Sequence, residues 1–377
     1  MHFFNILPLL IITSCIGTTA LEVPSVRTFS YVGGEYADDG SGTGERIFRN
    51  QLYVERIAPF HHTSPKPNPV IFIHGQGQTG TNFLNKPDGG RGWASNFIEA
   101  GYTVYIIDQT FRGRSPWQPG QGAASPSTYS AELIARRFTN GAASNLWPQA
   151  HLQTQWPGNG TIGDPIFDAF YASNVQFILN ATLQQSTVQN AGAALLDQIN
   201  VPSIVIGHSQ GGIMPFLLAD ARPQHIHALI LLEPSGPPFQ EAVFSTNPAR
   251  RYGLTDIPLT YSPPVTDPAL DLVRQVYPPP IANEDNSTVP CILQAQSPPP
   301  RQLPNFVDVP MLLVTGEASY HAPYDYCTVE YLRQAGAGRV HFLELGKEGI
   351  KGNGHLSFLE RNSDEIWERV RGFIEAI

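Results

Sequence analysis

The sequence predicts an α/β fold with a mostly parallel central sheet and helices on both faces. Six short runs rich in Val, Ile and Leu recur along the 377 residues, with helical or loop segments between them. The first five runs do not alternate between apolar and polar residues, which is typical of strands buried on both faces of a parallel sheet. The runs span residues 70–73, 103–107, 203–206, 228–232, 311–314 and 340–343. The alternation of strand and helix favours an open α/β sheet.

Other segments have patterns that fit the same fold. Residues 51–57 alternate more strongly between apolar and polar side chains and are expected to form an antiparallel edge strand. Helix candidates include residues 190–198 and 210–221. Near the C-terminus an apolar stripe at helical spacing predicts a last helix. Asn362, with Glu365 three residues later, resembles a capping pair at its start.

Two long stretches interrupt the alternation of strand and helix. Residues 116–186 and residues 234–308 each separate two strands by far more than one crossover helix needs. Loops of this length are usually functional or disordered. Their aromatic and aliphatic content favours ordered lid elements. We therefore expect one catalytic domain, residues 21–377, that carries two lid or cap insertions.

The composition excludes several classes of protein. Apolar residues make up 41% of the chain, which is enough for a sizeable core and excludes disorder of the whole chain. Charged residues make up only 15%, and the net charge is −9. A nucleic-acid-binding protein normally carries a basic stripe, and the sequence has none. We therefore expect no nucleic-acid partner.

The N-terminus predicts secretion. Residues 1–20 contain no charged side chain, and the apolar run at residues 3–12 is too short to span a bilayer, which takes about 20 apolar residues. Thr18 and Ala20 are small residues suited to signal-peptidase cleavage. We therefore predict a signal peptide, an extracellular protein and no stable membrane insertion. An N-terminal membrane anchor is the alternative.

Two further features fit an extracellular compartment. Three Asn-x-Thr triplets predict N-glycosylation, and they begin at Asn159, Asn180 and Asn286. Cleavage of the leader leaves Cys291 and Cys327. An oxidising compartment permits a disulfide between them, although the sequence does not show that they meet.

The strongest chemical signal surrounds Ser209. The sequence Gly207-His208-Ser209-Gln210-Gly211 follows a buried strand and matches G-x-S-x-G, the nucleophile elbow of a serine hydrolase. The serine lies on a sharp turn from strand to helix, where a Cβ at either flanking glycine would collide with the neighbouring chain. Its hydroxyl is therefore expected at the carboxyl end of the sheet, at the start of a helix.

A second glycine-rich loop predicts an oxyanion hole. It runs from His74 to Gly80, also directly after a buried strand. A carbonyl attacked by Ser209 develops a negative oxygen that needs preorganised N–H donors. The backbone N–H of Gln210 is one expected donor, and the backbone N–H of Gln76 is the most plausible second donor. The alternative is a loop that merely turns the chain.

The expected base is His355. An activated serine needs a general base, and His355 lies on the loop after the last strand, where the order serine, acid, histidine places it. His74 and His208 belong to the two loops near the nucleophile and are predicted to be structural. His321, which follows another strand, is the reserve candidate.

Three carboxylates compete for the role of the acid. Glu233 ends the strand at residues 228–232 and would stand one strand away from Ser209 at the same edge of the sheet. A charged group there is costly to bury unless it is paired, and a histidine partner would explain it. Glu317 and Asp325 follow the next strand, which is the more usual place for the acid. We favour Glu233.

With these residues identified, the chain resembles a secreted serine esterase of the α/β-hydrolase fold, from about residue 50 to the C-terminus. It is most similar to a bacterial and fungal subgroup whose acid is a glutamate after the sixth strand. The similar segments are residues 74–80, 207–212, 232–238 and 352–355, and residues 108–115 resemble the loop after the fourth strand. His74-Gly75-Gln76-Gly77 departs from the His-Gly-Gly-Gly loop of many lipases, so the second oxyanion donor stays open.

This resemblance implies a hydrolase of small carboxylic esters that needs no metal or organic cofactor. Ser209, Glu233 and His355 would be its triad, acting through an acyl-enzyme intermediate. A lactonase, a cutinase-like polymer esterase or an acyltransferase would use the same triad. A catalytically inactive binding module is the alternative from a different class. Dehalogenases and epoxide hydrolases are disfavoured because they have an aspartate where Ser209 stands.

Overall fold

The central sheet of the protein has eight strands. The structure, a computed structural model, describes residues 22–60, 64–118, 126–279 and 287–377. The eight strands are β1 (Ser25–Asp38), β2 (Arg46–Pro59), β3 (Val70–Ile73), β4 (Val104–Asp108), β5 (Ser203–His208), β6 (Ile226–Leu232), β7 (Met311–Thr315) and β8 (Val340–Glu344). Their order across the sheet is β1-β2-β4-β3-β5-β6-β7-β8. From β4 to β8 all neighbours are parallel, while β2 is antiparallel to β1 and β4. This topology confirms the predicted mostly parallel sheet.

Helices cover both faces of this sheet. They are α1 (Trp93–Glu99), α2 (Ala131–Ile134), α3 (Gly141–Ser144), α4 (Pro165–Ala172), α5 (Ala181–Ile199), α6 (Met214–Ala221), α7 (Pro268–Asp271), α8 (Asp325–Gln334) and α9 (Ser363–Glu375). A π-helical turn, Ala135–Thr139, follows α2 directly. The 3-10 turns are Gly80–Phe83, Ala150–Leu152, Ser209–Gly212, Pro223–His225, Pro304–Phe306 and Ser357–Leu359. Two short ladders pair Pro126–Ser127 with Phe177–Ile178 and Arg274–Tyr277 with Cys291–Gln294.

Each central strand is buried on both faces, because alternate side chains enter two separate apolar layers. The layer that contacts α5, α6 and α8 receives Ile71, Ile73, Val205, Leu229 and Leu231. The layer that contacts α1 and α9 receives Val70, Phe72, Ile204, Ile206 and Ile230. Burial on both faces explains why these strands are continuous apolar runs in the sequence, and why they could be recognised there.

The N-terminal strand was missed, and its presence corrects the prediction for residues 51–57. These residues lie in β2, which is antiparallel as predicted but is not an edge strand, because β1 pairs with it over its whole length. Most residues of β1 are exposed, so its sequence lacks the apolar run of a buried strand. Gly33 has a φ of 70° and lies so close to Ala191 of α5 that a Cβ there would collide. The helix therefore packs directly on the bare backbone of β1.

The C-terminal helix is present, but the predicted capping pair is wrong. Asn362 occupies the position before α9, and its side chain makes no capping hydrogen bond to the helix. Its amide instead exchanges hydrogen bonds with the side chain of Asn353, at 2.6 and 3.0 Å. Asn362 thus supports the loop that carries His355 rather than the helix terminus.

The two long insertions contain short ordered elements over the active-site end of the sheet. The first holds α2, the π-helical turn, α3 and α4, and its predicted end at residue 186 lies inside α5. The second holds α7 and a two-stranded ladder, and a disulfide joins Cys291 of this ladder to Cys327 of α8. Asn159 and Asn180 are exposed, whereas the predicted leader at residues 1–20 and Asn286 lie outside the described residues. Within the described ranges, no helix has both the length and the apolar character needed to cross a bilayer.

Candidate active site

Ser209 lies on a tight turn at the carboxyl end of β5. Its φ is 55°, a left-handed value that costs energy in a residue with a side chain. The 3-10 turn Ser209–Gly212 and then α6 follow at once. A Cβ on Gly207 would collide with the carbonyl oxygen of Gly211, and a Cβ on Gly211 with that of His74. The two glycines are therefore required by close backbone approach, and the turn has the geometry of a nucleophile elbow.

Glu233 and His355 form a buried pair beside this turn. His355 Nδ1 lies 2.5 Å from Glu233 Oε2, and both side chains are only 2% exposed. Two more donors converge on the same carboxylate, since Gly316 N–H donates to Oε1 at 2.7 Å and the Ser319 hydroxyl to Oε2 at 2.6 Å. This set of donors fixes the carboxylate and leaves the other imidazole nitrogen, Nε2, facing the pocket.

Ser209 and His355 line the same pocket, but no hydrogen bond joins Ser209 Oγ to His355 Nε2 in the described structure. The hydroxyl of Tyr320 instead lies 3.4 Å from His355 Nε2. Catalytic hydrogen bonds are often long or poorly aligned without substrate and tighten when substrate binds. The structure thus brings the imidazole of His355 and the hydroxyl of Ser209 to one pocket without a hydrogen bond between them.

The electrostatics of the pair suit a neutral histidine that can accept a proton. Burial lowers the pKa of His355 well below its ordinary value, and the positive charge of His321 acts in the same direction. Burial raises the pKa of Glu233, while the positive charge of His321 and the hydrogen bonds from Ser319 and Gly316 oppose this shift and favour the ionised carboxylate. The three donors on its oxygens complete the hydrogen bonds that a buried carboxylate requires.

The other acid and base candidates have different partners. His321 Nδ1 lies 2.8 Å from Asp325 Oδ1, so these two residues form a second buried pair. Burial alone would lower the pKa of His321, but the Asp325 carboxylate raises it above its ordinary value. The third acid candidate, Glu317, binds Lys351 and the backbone N–H of Gly352. Neither alternative acid contacts His355.

The pair His321–Asp325 packs against the pair His355–Glu233. The rings of His321 and His355 are parallel within 8°, with their centroids 4.8 Å apart. Among the described residues, Glu233, His321 and His355 could together hold a metal ion, since their potential ligand atoms lie within 4.8 Å of one another. Binding an ion through Glu233 Oε2 or His355 Nδ1 would break the 2.5 Å contact between them.

His74 and His208 hold backbone segments in place. His74 Nδ1–H donates to the carbonyl of Gly75 at 2.8 Å, and its Nε2 accepts from the N–H of Gln109. Burial, helped by the charge of Arg112, lowers the pKa of His74 to about 4, so this ring stays neutral. His208 Nε2–H donates to the carbonyl of His355 at 3.0 Å. These contacts match the structural role predicted for both histidines.

Gln76, the second predicted oxyanion donor, lines the same pocket as Ser209, and Gln210 follows Ser209 in the chain. A Cβ on Gly75 would lie 3.2 Å from Ser209 Cβ, so the loop that carries Gln76 passes close to the nucleophile. The first N–H groups of a helical turn have no acceptor within that turn, which leaves the Gln210 N–H available. The Gln76 side chain accepts from the Tyr129 hydroxyl at 2.9 Å, and that of Gln210 accepts from Gln109 at 3.1 Å.

Several residues of the site carried no clear signal in the sequence. Arg112 is fully buried and donates to the carbonyl of Gly75 at 3.1 Å, so the loop after β4 supports the loop that carries Gln76. Burial lowers the pKa of Arg112 to about 9. Phe138 and Arg137 line the pocket from the first insertion, and Tyr320 lines it from the loop between β7 and α8. The positions of these residues depend on tertiary packing. Of the four, only Arg112 lies in a segment that the sequence analysis had noted, residues 108–115, which resemble a known loop.

The pocket above Ser209 encloses a cavity of about 360 Å³. This volume is near the lower end of the roughly 300–1,000 Å³ typical of small-molecule sites. Aromatic rings line this pocket. The ring centroid of Phe138 lies 5.2 Å from that of His355, and the ring centroid of Phe244 lies 5.0 Å from that of Tyr320. The two insertions supply these rings.

A parallel sheet whose fifth strand ends in a serine elbow defines a protein of the α/β-hydrolase class. The sequence pattern of the alpha/beta hydrolase fold matches residues 68–261, and the chain belongs to this family. A protein named probable secreted lipase phiG, from a fungal species (strain ATCC 74256), is 46% identical over 350 residues, covering 93% of this chain and 90% of that protein. A solved structure described as a novel bacterial esterase has a TM-score of 0.62 and 19% identity, covering 95% of this chain and 97% of its own. At that identity the second likeness shows the fold alone.

Proposed function

We propose that the protein is a secreted hydrolase of small carboxylic esters that acts through an acyl-enzyme on Ser209, His355 and Glu233. The observation that carries this proposal is the 2.5 Å contact between His355 Nδ1 and Glu233, in the wall of the pocket that also contains Ser209. A hydroxyl on an elbow, a neutral imidazole and a buried carboxylate are the three groups that serine-based acyl transfer needs.

The mechanism starts with the Ser209 hydroxyl and the free nitrogen of His355. An ester that enters the pocket displaces the Tyr320 hydroxyl from His355 Nε2, and Nε2 then accepts the proton of Ser209 as Oγ attacks the carbonyl carbon. The imidazolium that forms is stabilised by Glu233 at Nδ1. The negative oxygen of the tetrahedral intermediate accepts hydrogen bonds from the backbone N–H groups of Gln210 and Gln76.

The second half of the reaction repeats these steps with water. The C–O bond to the alcohol breaks, and His355 returns its proton to the departing alcohol. Water then attacks the acyl group on Ser209, while His355 Nε2 takes a proton from the water. Collapse of the second intermediate releases the carboxylic acid and restores the serine hydroxyl.

Secretion belongs to the same proposal. The similar fungal protein carries the word secreted in its name, and residues 1–20 have the pattern of a signal peptide. The joined pair Cys291 and Cys327 suits an oxidising compartment. Asn159 and Asn180 are exposed at the surface, where N-glycosylation occurs.

The proposed activity is tested with 4-nitrophenyl esters of short acids and a parallel panel of lactones. We expect the purified protein to release 4-nitrophenol from the acetate and butyrate esters, and the Ser209→Ala variant to lose this activity while keeping its thermal unfolding midpoint. Activity that persists in the variant would exclude Ser209 as the nucleophile. Faster turnover of the lactones than of the esters would reassign the substrate class on the same triad.

A further inference from the structure

Arg137 places a guanidinium in the wall of the active-site pocket, where the proposed mechanism has no use for it. Its Nε is buried and has no hydrogen-bond partner within the described part of the chain. Buried donors nearly always have a partner, and a buried charge without one is costly. An unpartnered guanidinium nitrogen on a residue that lines the same pocket as Ser209 therefore points to a partner supplied by the ligand.

The local structure holds Arg137 at the pocket. It lies in the π-helical turn Ala135–Thr139, and such turns are frequent at functional sites. The next residue, Phe138, packs against the His355 ring, so the turn is fixed next to the catalytic base. The guanidinium lies 4.0 Å from the ring centroid of Phe244 in the second insertion. Both insertions therefore fix its position over the cavity.

Glu241, the carboxylate among the residues that line this pocket, does not pair with Arg137. Its carboxylate is instead paired with Arg250 at 2.7 Å. Arg250 in turn donates to the carbonyls of Pro237 and Gln240, so this pair is held within the second insertion. Arg137 is left as a positive charge that faces the cavity, in the part of the chain that the structure describes.

We infer that Arg137 binds a carboxylate of the substrate, so the preferred substrates are esters that also carry a free carboxylate, such as half-esters of short dicarboxylic acids. This inference rests on the proposed function. The planar fork of an arginine donates two parallel hydrogen bonds to a carboxylate, which adds orientation to attraction. A carboxylate held there places the ester carbonyl of a short chain over Ser209, inside a cavity of about 360 Å³.

The test compares esters that differ in the free carboxylate. The monoethyl esters of succinate, glutarate and adipate are each assayed against the corresponding diethyl ester, and kcat/KM is measured by proton release. For at least one chain length, we expect Arg137→Gln to lower the monoester-to-diester ratio of kcat/KM about 10- to 100-fold, the effect of losing a charge-assisted hydrogen bond. Arg137→Lys, which keeps the charge but loses the fork, should restore part of that ratio.

A matched control separates charge recognition from a structural role. Arg136 is the exposed neighbour in the same turn, and Arg136→Gln removes the same charge from the protein without touching the cavity. We expect this variant to keep the wild-type ratio. An equal loss of kcat/KM for monoester and diester in Arg137→Gln would overturn the inference, because it would mean that Arg137 only holds the two insertions together. The same change of ratio in Arg136→Gln would also overturn it, because it would mean that Arg137 acts only through the net positive charge of this region.

A binding measurement decides the inference if the proposed function fails. Hydrolysis of diesters with an unchanged ratio in Arg137→Gln would refute the carboxylate site and leave the esterase in place. Absence of all hydrolysis would refute the proposed function alone. If no hydrolysis is found, titration calorimetry of free glutarate with Ser209→Ala should still show binding that is lost when Arg137→Gln is added. Equal binding with and without Arg137 would refute the site.

Discussion

Replacing Glu233 with glutamine tests the acid through a change of one atom. The two carboxylate oxygens accept from Gly316 N–H, from the Ser319 hydroxyl and from His355 Nδ1, at 2.7, 2.6 and 2.5 Å. An amide has one oxygen and one NH₂ group, so the NH₂ group must face either the Gly316 N–H or the two donors that share Oε2, Ser319 and His355. The backbone N–H of Gly316 cannot change its role, whereas a hydroxyl can rotate and an imidazole can change tautomer. The NH₂ group is therefore expected to face His355.

This arrangement places the histidine proton on the wrong nitrogen. His355 would accept at Nδ1 and carry its proton on Nε2, which could then no longer take the proton of Ser209. The negative charge that stabilises the imidazolium is lost as well. In the comparable aspartate-to-asparagine change of a serine protease, kcat falls about 10⁴-fold. We expect a fall of about 10³- to 10⁴-fold for Glu233→Gln, which corresponds to about 4–5.5 kcal/mol in the activation free energy.

The assay measures kcat and KM for 4-nitrophenyl butyrate, with thermal unfolding as the check on folding. The matched control is Asp325→Asn, an acid of the same burial whose partners are His321 and the Thr315 hydroxyl. Because Asp325 does not contact His355, its variant should lose less than about tenfold, through its effect on the neighbouring charge alone. A loss below tenfold in Glu233→Gln, or a larger loss in Asp325→Asn, would refute the assignment of the acid.

Three further changes test separate parts of the account. His355 must be neutral to accept a proton, and its pKa lies below the ordinary 6.5, so kcat/KM should rise with pH at values below 6.5. His321→Asn removes a positive charge near His355 and should move this rise to higher pH. A move to lower pH would contradict the charge assigned to His321. Changing Cys291 and Cys327 to serine opens a 36-residue loop and should lower the free energy of unfolding by about 3–4 kcal/mol in urea titrations, whereas unchanged stability would argue against a structural role. Gly211→Ala drives a Cβ into the carbonyl of His74 and should cost at least tenfold in kcat, and wild-type activity would show that the elbow can relax.

The sequence was sufficient to predict the sheet and the sharp turn that carries Ser209, because both are encoded locally. Strands buried on both faces must be apolar throughout, and the elbow requires glycine where the backbones of residues 207 and 211 approach their neighbours. The choice of Glu233 rested on the adjacency of two strands, which the observed pairing of β5 with β6 supports. In the structure Glu233, alone among the three acid candidates, contacts His355.

The rest of the site could not be predicted because it is formed by tertiary contacts. Tyr320 reaches His355 Nε2 only because the loop after β7 folds over the pocket. Arg137 and Phe138 meet the cavity through a π-helical turn, which has no sequence signature comparable to a strand. The exposed strand β1 was missed for a related reason, since a strand with few buried side chains shows no apolar run.

The most direct test of the central claim is to find which atom becomes covalently modified. The protein is treated with a fluorophosphonate, its intact mass is measured, and the modified peptide is mapped by fragmentation. Serine-based acyl transfer on this site predicts one adduct per chain, located on Ser209, with no labelling of the Ser209→Ala variant and much slower labelling of His355→Ala. An adduct on another residue, or undiminished labelling without Ser209, would contradict the account.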